Sequence, residues 1–491
     1  MIIADDTPES PAKTVPSNLP LQYSTPPPAY GSTSLYFPRR VDPAPPRTLY
    51  LRQPEPPCRR SPTKRFFKAF CVAILIWFLL TMFTSSIVDA GGFHRRGGGY
   101  LQDFPDSDFP IPRGYTVREC IRGPGWTSTG SGGGFPAVGQ RYSAHTSFDL
   151  PLNSETLFLL SQGSLSSGTV NVVTSSTLKD VVRVDVAIQY YRQKVLDYAR
   201  ICLLQRQEGE NGVGVFTPRW FNNPTYQDRP HFDITITIPE PSSTSASNIK
   251  NFETDVPNFS QSLQDLESRV HFGKISLKGS NMPIQAESLE FDYGKIVTSN
   301  APIQINSLDA VGADVHTSNA PIQGSFAASD SLVLKTSNAP IRVDVDLGDM
   351  DATKSTLELT TSNNIIKAGI KLFSPSSDVS AHTSNGPLQI KVLESPVDSK
   401  VKLDARTSNA DAEVWLPPTY EGTYSLSTSH MQPSLRVGEM SDPAGRGRRR
   451  MVKQNTVRRG ETVGEVYWDE HNRGRGTVLV RSSNGPLSLK L

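Results

Sequence analysis

The sequence predicts an all-β fold: a repetitive β-solenoid with a β-rich N-terminal cap domain, preceded by one transmembrane helix and a disordered Pro-rich tail. Three observations predict the solenoid. The first is a recurring frame. Ser299-Asn300-Ala301-Pro302-Ile303 returns as Ser318-Asn319-Ala320-Pro321-Ile322 and as Ser337-Asn338-Ala339-Pro340-Ile341, usually with Thr in front. Variants stand at Ser280-Asn281-Met282-Pro283-Ile284, Ser384-Asn385-Gly386-Pro387-Leu388 and Ser483-Asn484-Gly485-Pro486-Leu487. Asn281, Asn300, Asn319, Asn338, Asn363, Asn385 and Asn409 follow one another in steps of 19, 19, 19, 25, 22 and 24 residues. A period of that size means stacked coils, each resting on the last.

The second observation is alternation. Two residues before each Thr stand Ile296, Val315, Leu334, Leu359, Ala381, Ala405 and Leu426; one residue before it stand mostly polar residues, His316, Lys335, Thr360, His382 and Arg406 among them. Period two marks a strand with one buried and one wet face. The third is turn chemistry. Asn tolerates a left-handed backbone and suits a sharp corner. The residue before Pro is pushed to extended geometry, so the chain leaves the corner as a new strand. Stacking repeats Asn and Thr at about 4.8 Å, and amide ladders of this kind stabilise stacked strands. The eight Asn residues, with Asn484 as the last, are therefore read first as a corner ladder and only second as a row of ligand-binding groups.

The elements follow in order. Residues 1–65 hold 15 of the 39 prolines and show almost no apolar periodicity, which describes a disordered cytosolic tail. Within it Pro27-Pro28-Ala29-Tyr30 matches the Pro-Pro-x-Tyr ligand of WW domains, with Pro27, Pro28 and Tyr30 as the contact residues. A WW-domain ubiquitin ligase is the natural partner. Residues 66–88 contain 20 uncharged residues from Ala69 to Val88, enough to cross a hydrocarbon core of about 30 Å. Arg59, Arg60, Lys64, Arg65 and Lys68 crowd its N-terminal flank, which favours an N-terminus in the cytosol and a plasma-membrane or secretory-pathway location. Cys58 and Cys71 lie near that face as palmitoylation candidates.

Residues 89–142 read as a Gly-rich linker and 143–240 as a β-rich domain, with strands at 156–160, 169–174, 181–188 and 232–238. The stretch 190–207 reads equally as a helix or a strand pair. Val170 to Ser176 resembles one coil, which would start the solenoid ahead of Asn281. Residues 241–491 form the solenoid itself, interrupted at about 441–476 by a basic insertion carrying Arg446, Arg448, Arg449, Arg450, Lys453, Arg458 and Arg459. That run reads as a solvated loop between two coils, with a patch for anionic glycans, lipid head groups or a processing protease as the alternative.

Net charge is only +2, so nothing global points to nucleic acid. Cys120 and Cys202 are either bridged or two free thiols. Asn258-Phe259-Ser260 is a glycosylation candidate if the solenoid is lumenal. No phosphate-binding glycine loop, His-Glu-x-x-His, Cys-x-x-Cys or Gly-x-Ser-x-Gly is present. Asp314, Asp344 and Asp404 are the acidic candidates for a solenoid glycan lyase or hydrolase, but their positions do not converge. His316 and His382 fall on outward positions, coils apart. No catalytic residue, cofactor or metal is expected.

The frame Thr-Ser-Asn-[Ala/Gly]-Pro-[Ile/Leu] resembles the Thr-Ser-Asn-Gly-Asp coils of the putative-adhesin β-solenoid family, often described as a domain of unknown function. Tail, single membrane helix and all-β ectodomain resemble its fungal single-pass members. The likeness covers roughly 270–430 and 477–491, with Pro here where the bacterial repeats often have Asp. It implies a non-catalytic, adhesin-like binding or structural module that meets cell-wall or surface glycan or protein. A cytosolic-facing membrane scaffold is the remaining alternative.

Overall fold

A computed structural model describes residues 106–128, 142–221, 223–241 and 246–491. The chain divides into Met1–Gly99 and Tyr100–Leu491, and every described residue belongs to the second unit. The proline-rich tail, the Pro27/Pro28/Tyr30 motif, Cys58, Cys71 and the expected 66–88 membrane helix lie outside the described residues. Among the described residues no helix is long and apolar enough to cross a membrane. What they contain is strand and a few short 3-10 turns.

The repeats stack as two parallel ladders that meet at the Asn corner. Strands running into the corner form one ladder, here the Thr side; strands leaving it after Pro form the other, the Pro side. Pairing is in register: Ile284, Ile303, Ile322, Ile341, Ile366, Leu388, Ala412 and Leu487 are successive partners on the Pro side. On the Thr side the succession is Leu277, Ile296, Val315, Leu334, Leu359, Ala381, Ala405 and Val480. All of these residues are buried. Burying a column of branched aliphatics between two ladders is what drives the stacking.

Repeat length has a local cause. The strands Ile284–Val297, Ile303–His316 and Ile322–Lys335 run 14 residues each and bend from the Pro side into the next Thr side without a loop. In the longer repeats that continuous strand is split, as in Ile341–Leu347 and Ser355–Thr360, and the added residues sit between the halves. The Asn corner itself never changes length.

Both ends of the stack break sequence order. At the amino-terminal end the coil made by Thr156–Gln162 and Gly168–Ser175 lies between two later ones. It pairs in parallel with Glu210–Phe216 and His231–Pro239 on one side and with Ser247–Asp255 and Phe259–Asp265 on the other. The coil-like segment noted at Val170 to Ser176 is thus a coil, and repetition begins well before Asn281. At the carboxyl-terminal end Gly476–Ser482 slips between Lys400–Thr407 and Gly422–Thr428. Leu487–Lys490 does the same between Ala412–Trp415 and Ser434–Arg436. Ser429-His430, which stands where the next Ser-Asn pair is due, therefore sits on the outermost coil, and the Ser429 N–H donates to Ser483 O at 3.2 Å.

Antiparallel strands close each end, which protects edges that would otherwise expose unpaired backbone groups. Val181–Tyr190 covers His231–Pro239, and Arg200–Gln205 covers Glu210–Phe216. The ambiguous stretch 190–207 resolves into a 3-10 turn, Gln193–Asp197, and that strand. Part of the segment read as a linker is ordered: Thr116–Ile121 pairs with Arg200–Gln205, and Cys120 and Cys202, partners in register, form a disulfide. Glycine on both sides of this short strand hid it from pattern reading. At the other end the basic insertion is only partly a loop. Met451–Arg458 and Glu461–Tyr467 form a hairpin over Gly422–Thr428, and Asp442 binds Arg448 at 2.9 Å to hold the segment before it.

Candidate binding site

Each Thr-Ser-Asn corner is tied to its neighbour in three ways. The Ser and Asn backbone N–H groups both donate to the Ser carbonyl of the preceding coil, as Ser318 and Asn319 do to Ser299 O. The Thr hydroxyl points inward and, from Thr317 onward, donates to the residue after the preceding Asn, as Thr336 does to Ala320 O at 3.3 Å; Thr298 donates to Ser280 O. Thr298, Thr317, Thr336, Thr361, Thr383 and Thr407 are all buried, so these bonds satisfy carbonyls that water cannot reach. The Asn amides then form a chain along the outside. Asn281 donates to Asn258 Oδ1, and Asn300, Asn319, Asn338, Asn363, Asn385, Asn409 and Asn484 each donate to the Asn before, at 2.7–2.9 Å.

One expectation changes here. None of the corner Asn residues has a positive φ; among the described residues that backbone occurs, outside glycine, at Asp180, Asn223, Ser268 and Asp398. Asn is at the corner for its ladder, not for a left-handed turn. Asn258, singled out as a sequon, is the first rung. Its Oδ1 accepts from Asn281 and its Nδ2 reaches Ser166 O at 3.4 Å, the donor a glycan would occupy.

The two wet faces differ in charge. On the Thr side, acids and bases pair from strand to strand: Lys335 with Glu358 at 2.8 Å, Lys354 with Asp378 at 2.7 Å, and Lys295 with Asp314 at 3.6 Å. Asp314 also pairs with His316, and Asp404 with Arg406, raising the Arg406 pKa further. Asp314 and Asp404 stand four coils apart in one column, and Asp344 lies on the Pro side. His382 contacts Ser380 Oγ at 3.4 Å. Among the described residues no three His, Cys, Asp or Glu side chains gather as a metal site. One perturbed carboxyl escaped the sequence reading. Asp309 is raised by desolvation and then by Glu290, its register partner, a juxtaposition visible only once coils are aligned.

On the Pro side the outward column reads Gln285, Gln304, Gln323, Arg342, Lys367, Gln389 and Glu413 in successive strands, and Glu413 pairs with Lys490 at 3.6 Å. Arg342 and Lys367 are exposed and meet no carboxylate within 4 Å among the described residues. The next column runs Asp344, Gly369, Lys391, Trp415, Lys490. Gly369 leaves a gap in it, and Asp344 leans over that gap, its Oδ1 2.7 Å from where a Cβ would stand. The result is a groove of about 580 Å³ walled by Arg342, Lys367, Lys391 and Leu393. Lys391 and Lys490 lie 4.6 and 4.8 Å from the Trp415 ring centre, cation–π contacts that stiffen one end of the row.

Residues 313–441 match a family described as a domain of unknown function, DUF7330. That stretch holds the longer coils and stops before the basic hairpin. A crystal structure of a putative cell adhesion protein from Clostridium sporogenes is 10% identical, covering 71% of this chain and 99% of that one with a TM-score of 0.15. No curated protein matches the sequence.

Proposed function

We propose that the chain displays a non-catalytic, adhesin-like β-solenoid outside the cytosol, where it binds a repeating surface polymer such as a cell-wall polysaccharide. The carrying observation is the Pro-side row. Hydrogen-bonding side chains recur once per coil at about 4.8 Å, and two cations in the row, Arg342 and Lys367, have no carboxylate partner among the described residues. A periodic ligand meets such a row at several points together, while a compact ligand uses one groove. Fungal single-pass members of the resembled family share this arrangement of tail, anchor and ectodomain.

In this reading the 69–88 segment is the anchor and the N-terminal tail stays in the cytosol, where Pro27, Pro28 and Tyr30 recruit a WW-domain protein. The Cys120–Cys202 bridge supports an oxidising compartment for the C-terminal unit. No cofactor enters the activity.

Cosedimentation of the purified full-length protein with insoluble wall polysaccharides tests the reading. Arg342→Ala combined with Lys367→Ala is expected to lose binding with an unchanged circular dichroism spectrum; binding equal to wild type would sink the proposal. Protease protection in sealed vesicles tests the orientation. A C-terminal unit digested on the cytosolic side would remove the adhesin reading altogether.

A further inference from the structure

Near the end of the stack the Thr-side column just before the corner becomes basic. His382, Arg406 and Arg481 are register partners in three successive strands, so the two guanidinium groups leave the sheet from sites about 4.8 Å apart. Like charges side by side on a sheet repel each other. The C-terminal hairpin nevertheless brings two more. Its tip carries Arg458 and Arg459 onto the same corner, and Gly460 makes that approach possible. Gly460 has φ +84°, and a Cβ there would stand 2.1 Å from Thr428 O. Its own carbonyl accepts from Thr428 N at 2.8 Å.

The four arginines, with Ser429 and Ser483, line a pocket of about 610 Å³. Asp404 pairs with Arg406, and Glu461 accepts from Arg458 at 2.7 Å. Arg459 and Arg481 are exposed and meet no carboxylate within 4 Å among the described residues. Four guanidinium groups against two carboxylates leave two positive charges facing one polar pocket. A guanidinium matches a tetrahedral oxyanion through two parallel N–H donors, and hydroxyls complete its hydrogen bonding.

We infer that this corner binds a doubly charged tetrahedral oxyanion: phosphate, free or carried as a monoester, or free sulfate. It is separate from the Pro-side groove and does not depend on the polymer reading.

Isothermal titration of inorganic phosphate, sulfate and acetate into the full-length chain at constant ionic strength tests it. Saturable binding of phosphate or sulfate and none of acetate is expected. Arg459→Gln with Arg481→Gln should weaken that binding by about tenfold or more. Equal binding of acetate, or an unchanged affinity in the double variant, overturns the inference. Thermal melts give a second readout. Without the anion, Arg481→Gln should raise the Tm by relieving repulsion from Arg406, and the anion should raise the Tm of wild type more than that of the variant. A variant that melts no higher than wild type, or that gains as much from the anion, also overturns it. The two anions separate by pH: phosphate binding weakens as pH falls through its second pKa, about 6 for an ester and higher for the inorganic ion, and sulfate binding does not. Methyl phosphate against inorganic phosphate then separates ester from free ion.

Discussion

The middle of the stack and its two ends are built from the same coil but held by different means. Between Asn281 and Asn409 every coil follows its predecessor in sequence, and from Asn300 onward each corner repeats the same backbone and amide bonds. Stability there is a sum of nearly identical neighbour terms. At the ends the coils lie out of order, and their partners come from segments far away in the chain, closed by a disulfide on one side and a hairpin on the other. Repetition supplies the middle; topology supplies the ends. A repeat array of this kind fails first where its closure is broken.

The strongest way to break that contrast is to delete 476–491. The strand Gly422–Thr428 would lose its parallel neighbour, and Lys400–Thr407 would face water. Amide hydrogen exchange should show protection lost from about residue 400 onward while coils 284–347 stay protected. Retained protection at Gly422–Thr428 would mean the inserted coil is dispensable.

Next in size is the amino-terminal clamp. Replacing Cys120 and Cys202 by Ser removes a cross-link over a separation of 82 residues, worth about 4–5 kcal/mol on loop-closure grounds. Denaturant unfolding should register the loss. Exchange should accelerate in Thr116–Ile121 and Arg200–Gln205 ahead of the middle coils. Acceleration spread evenly over all coils would make the unit a single cooperative block and erase the distinction.

A smaller test compares rungs of one ladder. Asn338→Ala removes two amide bonds and leaves Asn319 and Asn363 each short of a partner, costing about 1–2 kcal/mol; Asn484→Ala removes the one bond to Asn409 and costs about half that. Equal losses at the two sites would show that the ladder contributes through something other than its own hydrogen bonds. The smallest effect is one of pH. Arg448, together with backbone N–H groups, holds the Asp442 carboxyl well below the usual carboxylate range. A depressed folded-state value stabilises above the unfolded pKa near 4, and the gain disappears as pH falls through the folded value. The segment before the hairpin should therefore loosen progressively as pH falls below about 4, and Asp442→Asn should remove that acid step from a proteolysis-against-pH profile.

The middle was legible because its information is local. Ile296, Val315 and Leu334 announce their burial by spacing alone, and the Pro after each corner announces the next strand. Even the longer steps at Asn363, Asn385 and Asn409 were visible, although only the structure shows that the added residues lie away from the corner. The ends were not legible. Nothing near Ser483 states that its coil belongs beside Asn409 instead of after Ser429, because register between distant strands is decided by which edges are free. The same limit hid the candidate sites. Arg406 and Arg481 are 75 residues apart in sequence and neighbours in the sheet, while Arg342 and Lys367 read as ordinary outward charges until their column was assembled. Asn suits the corner through its amide bonds to the next coil, which spacing alone does not reveal, and not through left-handed tolerance.

The late coil also sets a timetable. A ribosome delivers 422–436 well before 476–491, yet the seat that Gly422–Thr428 occupies is on the later segment. For the intervening stretch of synthesis this part of the chain has a formed stack behind it and no place to dock. Its apolar residues, Tyr424 and Leu426 among them, must wait uncovered. Folding can keep pace with synthesis through the middle coils and then has to pause, so the interval between these two segments is when the nascent protein most needs a chaperone.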